Sequence, residues 1–419
     1  MAINKQKTKE LLKTINELFD SIPVQNEALK AKVKKMVLGP ALEDIRKLVE
    51  ESRPPVLLIM GRSGHGKSSL INALAQKDVA IVNDIKPQEP GSDPYYITFE
   101  ESYATWKVID SRGVFESTKP DGSIQEDAIE VLKNSILTQK PDVILHAIST
   151  PETRNLQKDL ELLESIKKEF EKKHSYNIPT MIVLTKADTF ENPRQWPPEN
   201  MPKKAAQIDD VLQYMTNDVL KVEKEPINLN YPYYGYNIKS NNYIGIIPVA
   251  SIKDDTWNID TLSDFIGKNL SEEAQLDFFQ AQQRKGPLKK LSSNIIDRFS
   301  TIAGGIGVTP IPIADIALLI PVQLLMISII GALSGRQASK ETAFEYLTAT
   351  GINVGAGMGL REVARQASKL IPGGGLAISA TIASTSTWAI GKSAEAYFFN
   401  NEIKSPDFFK RKEKESVEK

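Results

Sequence analysis

Gly61-Arg62-Ser63-Gly64-His65-Gly66-Lys67-Ser68 is the stretch whose reading decides the fold. It matches G-x-x-x-x-G-K-[ST], a loop that wraps phosphate groups when a buried strand precedes it and a helix follows. Pro55-Val56-Leu57-Leu58-Ile59-Met60 reads as that strand, and Ser69-Leu70-Ile71-Asn72-Ala73-Leu74 reads as that helix. In this context the backbone N–H groups from Gly61 to Ser69 and the helix N-terminus surround α- and β-phosphates. Lys67 then neutralises the β/γ oxygens and the Ser68 hydroxyl coordinates Mg²⁺.

Working outward, residues 53–270 alternate apolar runs with helical patterns, as a mostly parallel sheet covered on both faces requires. Tyr95 to Phe99, Ala104 to Ile109, Val143 to Ile148, Met181 to Leu184 and Ile246 to Val249 complete a set of six strands. Helical stretches at 124–138, 155–172 and about 203–224 supply crossovers. Asn228 to Tyr243, rich in Asn and Tyr, reads as an irregular surface insertion.

Three further elements follow strands in order and narrow the ligand. Asp110-Ser111-Arg112-Gly113 is a D-x-x-G element, in which the aspartate holds Mg²⁺ through water and the Gly113 N–H reaches a γ-phosphate. In Thr185-Lys186-Ala187-Asp188 the Asp188 carboxylate can accept from the N1–H and 2-amino group of guanine, while the Lys186 stem lies along the base. Adenine offers no such donor pair, so a buried Asp188 would be left unpaired. Pro248-Val249-Ala250-Ser251 places the Ser251 N–H where guanine O6 would lie. A first switch should fall between Asp84 and Asp93, with Ser92 as its Mg²⁺ hydroxyl and Thr98 a weaker candidate.

Together these four elements resemble the Era-like branch of the translation-factor-related GTPases over roughly residues 53–270. The resemblance implies GTP/GDP and Mg²⁺ as cofactors, with Lys67 and Ser68 on phosphate and metal, Asp110 linked to the metal, and Lys186 and Asp188 reading guanine. Thr185 stands where the usual N-K-x-D has Asn. Val114 follows Gly113 where Ras-like proteins carry a water-orienting glutamine, so slow intrinsic turnover is expected. Gly64 stands where potassium-activated relatives carry asparagine. Arg112 reads either as an internal positive charge on phosphate or as a solvated loop residue.

The flanks differ in character. Residues 1–52 carry amphipathic helical periodicity through Leu11, Ile15 and Phe19 and again through Val33, Val37 and Ile45. Residues 271–399 are rich in small and apolar residues with no strand pattern, and 400–419 are a charged tail. Val308 to Gln323 resembles a segment of an uncharacterised helical domain that follows Era-like domains in bacterial proteins, and more loosely one in interferon-inducible immunity-related GTPases. That likeness implies that residues 1–52 pack with 271–399 in an all-α domain. Ile316 to Leu333 is at the lower limit for spanning a bilayer and contains Gln323, Ser328 and Pro321. Gly351, Gly355 and Gly359, and the break at Gly373-Gly374-Gly375, permit close helix packing in lipid or in a soluble bundle.

Composition limits the remaining readings. An apolar fraction of 41% with 25% charged residues is that of a globular protein, not a disordered one. The 52 basic side chains nearly balance 53 acidic ones, so no global field attracts nucleic acid and none is expected as a partner. Cysteine is absent, which excludes disulfides and thiolate chemistry. Nothing near Met1 has signal-peptide length, so a cytoplasmic protein is expected, with peripheral membrane association through the helical part as a further expectation. The reading is an α/β P-loop GTPase domain joined to an all-α domain, acting as a GTP-hydrolysing switch or mechanochemical protein. Its missing activator would come from a homodimer across the nucleotide face, and its output from a protein or membrane partner of the helical domain. The alternative is a nucleotide-gated binding module with negligible hydrolysis.

Overall fold

The computed structural model describes residues 5–20, 31, 34–35, 39–40, 43, 52–76, 95–99, 104–110, 126–153, 156–252, 255–282, 285–307, 315–351 and 380–417. The chain divides into two compact units, one of Pro54–Thr98 with Thr105–Phe278, the other of Met1–Arg53, Phe99–Ala104 and Phe279–Lys419.

In the first unit the strands are β1 (Val56–Met60), β2 (Tyr95–Phe99), β3 (Ala104–Asp110), β4 (Val143–Ser149), β5 (Thr180–Thr185), β6 (Glu223–Pro226), β7 (Tyr236–Lys239) and β8 (Gly245–Pro248). They form one sheet in the order β2-β3-β1-β4-β5-β8-β7-β6. Neighbours from β3 to β8 run parallel, whereas β8-β7-β6 are antiparallel. Every residue of β4 and β5 is buried, as continuous apolar runs covered on both faces must be. The register sets Ile59 beside Asp110, Met60 beside His146 and Ser149 beside Thr185, so the loops after these strands emerge along one edge. The chain leaves β1 toward β3 on one side and β4 on the other. Open α/β sheets bind ligands at such a switch point.

Helices α2 (Lys67–Ala75), α3 (Glu126–Gln139), α4 (Gln157–His174), α5 (Pro202–Gln213) and α6 (Ile259–Asn269) belong to this unit. In α4, Leu163, Ile166 and Phe170 form the buried stripe, Asp159 sits in the first turn, and Lys172, Lys173 and His174 complement the dipole in the last. The stretch at 203–224 is not one helix. The α5 helix passes into a π-turn over Tyr214–Val219, and β6 follows. The insertion at 228–243 is also ordered: a 3₁₀ turn over Pro232–Tyr234 leads into β7, so the sheet has eight described strands in place of six. Their shortness and low apolar content hid both strands: β6 is four residues at the sheet edge, and β7 buries only Tyr236 and Ile238.

The division falls within α7 (Glu272–Ala281), and the second unit continues with α8 (Lys285–Gly307), α9 (Asp315–Leu333), α10 (Lys340–Ala349), α11 (Ala380–Asn400) and α12 (Pro406–Val417), while the N-terminal α1 (Lys5–Asp20) joins them. α9 packs against α1, α8, α10 and α11. Its side chains from Leu319 to Leu333 are all buried, which is the environment that a helix apolar on every side requires. Polar atoms inside it are satisfied: Gln323 Nε2 donates to Thr387 Oγ1 at 3.0 Å and Ser328 Oγ donates to Ser339 O at 2.9 Å. α1 buries Leu11, Ile15 and Phe19, its i, i+4, i+8 stripe. Among the described residues no helix is long and apolar enough to cross a membrane. Gly355, Gly359 and Gly373 to Gly375 lie outside the described residues.

A Cβ added at Gly391 of α11 would meet Ile296 Cγ1 of α8 at 2.7 Å. Gly391→Leu should therefore overpack the α8–α11 contact and cost about 1–3 kcal/mol, read as a lower denaturant midpoint at unchanged m-value.

Candidate nucleotide site

Gly61 leaves β1 with φ 148°, and a Cβ there would sit 2.2 Å from Ala147 O of β4. No side chain fits, so the loop lies directly on the end of the neighbouring strand. Gly64 and Gly66 have φ of 77° and 74°, the left-handed region that glycine enters without strain. Gly66 caps α2, and Leu70 N donates to its carbonyl at 2.9 Å. The Lys67 ammonium is buried and donates to Gly61 O at 2.8 Å and Arg62 O at 3.0 Å, so the loop curls around its own lysine. Ser68 and Ser69 follow in the first turn of α2.

Two loop side chains turn away from the cradle. Arg62 forks onto Asp159 of α4, with Nε to Oδ2 at 2.8 Å and Nη2 to Oδ1 at 3.2 Å. The buried His65 ring sets Nδ1 3.1 Å from Ala147 O and Nε2 3.2 Å from Glu152 Oε2. Burial lowers its pKa, against the opposing pull of Ala147 O and Glu152. Beneath it His146, whose Nδ1 lies 3.2 Å from Tyr243 OH, is pushed down to about 3, first by burial and then by His65 and Arg62.

The second loop, Thr185-Lys186-Ala187-Asp188, is fastened to the first. Thr185 Oγ1 donates to His65 O at 2.7 Å, and Thr150 Oγ1 donates to Thr185 O at 2.7 Å. The threonine hydroxyl is thus a strut between the two loops. Lys186 is exposed at φ 57°, and Thr189 N closes a turn onto its carbonyl at 3.1 Å. Asp188 is half-buried, and desolvation raises its carboxyl pKa, partly offset by backbone N–H groups and Lys204. Lys204, fully buried, donates to Asp188 O at 3.2 Å and to Phe190 O, holding the loop from below.

The third loop is tied in through the backbone. Ala187 N donates to Val249 O at 3.1 Å and Val249 N to Leu184 O at 2.8 Å. Ala250 and Ser251 then open a two-stranded ribbon of β9 (Ala250–Ile252) and β10 (Asp255–Trp257), packed beside α2. The Ser251 hydroxyl is buried with no hydrogen-bond partner among the described residues. Asp110 ends β3 beside Ile59. Ser92 and Gly113, with Arg112 and Val114, lie outside the described residues, as does the first-switch segment 84–93. Sequence reading missed Thr150, Glu152, Asp159, Lys204 and Asn258, whose Nδ2 donates to Pro248 O at 2.7 Å. Only Asp159 carried a signal, an acid in a first helical turn.

Residues 56–186 match the profile of the family described as 50S ribosome-binding GTPase. They form a GTPase domain of the P-loop class. The curated relatives cover only parts of both chains. Translocase of chloroplast 34 from Arabidopsis thaliana is 31% identical over 106 residues, 25% of this chain and 32% of its own. The tRNA modification GTPase MnmE of Ureaplasma parvum is 31% identical over 159 residues, 35% of this chain and 31% of its own. The match therefore spans about a third of each relative. Among solved structures, Era in complex with nucleotides 1506–1542 of 16S ribosomal RNA aligns with 60% of this chain and 68% of its own, at 19% identity and TM-score 0.31. A likeness that weak carries no argument, and the expectation of no nucleic-acid partner gains no support from it.

The GTPase domain makes two predictions. Gly61→Ala meets both a forbidden φ and the Ala147 carbonyl, so it should cost about 2 kcal/mol or more in urea unfolding. Because His65 and His146 have lowered pKa values in the fold, they stay neutral there while the unfolded chain takes up protons below about pH 6.5. Stability is fully present above that pH and is lost as pH falls toward about 3. His146→Asn should flatten this acid limb in Tm measured from pH 7 to 4.

Proposed function

We propose that the chain is a guanine-nucleotide switch that hydrolyses GTP to GDP and phosphate and transmits nucleotide state to the helical unit. The observation that carries this is the strut from Thr185 Oγ1 to His65 O, which joins the phosphate loop to a half-buried, desolvated Asp188. Glycine-rich backbone, a lysine and a carboxylate without a cationic fork are the complement of phosphates at one end and the N1–H and 2-amino donors of guanine at the other. In this reading the N–H groups of Gly61, Arg62, Ser63, Gly64, His65, Gly66 and Ser69 face phosphate, Lys67 moves from its loop carbonyls to the β/γ oxygens, and Lys186 and Asp188 hold the base. Ala250 and Ser251 line the far side of the base, the Ser251 N–H toward O6.

Ser68 at the start of α2 and Asp110 at the end of β3 stand at the same sheet edge as the phosphate loop, one hydroxyl and one carboxylate. Such a sparse oxygen set suits Mg²⁺, which is bound by one or two protein groups plus phosphates and water. Ser68 and Asp110 would hold the ion, which would supply positive charge against the phosphate oxygens. Ser92 is proposed as the first-switch hydroxyl and Gly113 as the γ-phosphate contact. Val114 cannot orient water, so a second copy across the nucleotide face is proposed to complete the site. The helical unit is the proposed contact for a protein or membrane partner; a membrane role would require α9 to expose side chains that are now internal.

Single-turnover hydrolysis of GTP by wild type and Lys67→Ala tests the reading. Product from wild type alone supports it, with a per-molecule rate that rises with protein concentration. Equal absence of product would leave the nucleotide-gated binding module instead. Asp188→Asn should lower GDP affinity at least about 100-fold, since the amide cannot accept both guanine hydrogen bonds.

A further inference from the structure

Beneath the phosphate loop lies an ion pair that the proposed chemistry does not use. Asp159 is buried, 4% exposed at its side chain, and its two oxygens meet Arg62 in a two-point fork at 2.8 and 3.2 Å. Arg62 is 38% exposed, so only one end of the pair is sealed from water. Removing a carboxylate from water is costly, and a pair of this kind adds little net stability. What a two-point fork adds is a fixed position and plane.

The fixed residue is the one that matters. Arg62 O accepts from Lys67 Nζ at 3.0 Å and from His65 N at 3.3 Å. The side chain of Arg62 is thus held by α4 while its carbonyl holds the lysine. We infer that Asp159 is a positioning residue for the phosphate loop, acting through Arg62 to set where the Lys67 ammonium stands. It touches no nucleotide, and its reach ends at the β-phosphate, the group Lys67 would neutralise. A companion contact from the same segment, Glu152 Oε2 to His65 Nε2 at 3.2 Å, braces the loop one turn further on. Asp159 and Glu152 flank the start of α4, so this helix registers the loop against β4.

This inference rests on the guanine-nucleotide reading, and the test separates the two. Dissociation constants for GDP and GMP are measured with Mg²⁺ by competition against fluorescent GDP, for wild type and Asp159→Asn. GMP lacks the β-phosphate and so does not report on Lys67. Asp159→Asn is expected to weaken GDP about tenfold, the scale of a sub-ångström misplacement, and to leave GMP unchanged, so the GMP-to-GDP ratio falls about tenfold. The double variant Arg62→Met with Asp159→Leu removes the fork without stranding a buried charge and should give the same fall, with thermal unfolding confirming that it folds. An unchanged ratio in either folded variant, whether both affinities drop or neither does, overturns the inference. A wild type that binds no GDP overturns the guanine-nucleotide reading as well.

Discussion

The close seat of the phosphate loop on Ala147 is the constraint from which the site follows. Gly61 leaves no room for a side chain above that carbonyl, and His65 reaches the same oxygen from the other end of the loop. Two points of contact on one strand end fix a loop of eight residues. Its glycines can then adopt the left-handed turns that point N–H groups inward. The parallel register carries the arrangement sideways, since Ser149 stands beside Thr185 and Met60 beside His146. A sheet slipped by one residue would separate the Thr185 hydroxyl from the His65 carbonyl and unseat both loops.

Much of this was legible in the order of residues. The four loops follow apolar strands in the right sequence, and each such strand is buried at the centre of the sheet. The last two strands of the sheet, β7 and the edge strand β6, were not legible, because Tyr236 to Lys239 and Glu223 to Pro226 are too short to show a clear apolar pattern. The role of Thr185 was only half legible. Its motif placed it at the start of the guanine-reading loop, and its hydroxyl is committed to the phosphate loop. Arg62 and His65 were read as loop positions facing phosphate through their backbone. What their side chains do depends on Asp159, 97 residues away, and on Glu152, 87 residues away, and no local pattern announces such partners.

The helical unit obeys a different logic. Its centre is α9, a helix that has no polar face to give to water, so it demands neighbours all round. The neighbours come from both ends of the chain. Small residues permit the approach, with Gly331 against Thr342 and Gly391 against Ile296, where a methyl group would already collide. This is packing at the density of a protein interior, in which shape and not simple greasiness decides the fit.

A helix at the start of the chain whose apolar stripe is covered by one near the end has a history as well as a place. From Asp20 to Leu333 the chain grows by 313 residues, 333 minus 20, which a ribosome adds in roughly 15–60 s at about 5–20 residues per second. Throughout that interval the contact between α1 and α9 cannot form. The strands and helices of the nucleotide-binding unit emerge in the meantime, so this unit has its full sequence while its companion is still incomplete. α1 is therefore made well before the helix it packs against. Until α9 emerges, the side of α1 that will meet it is an apolar surface that a chaperone would recognise.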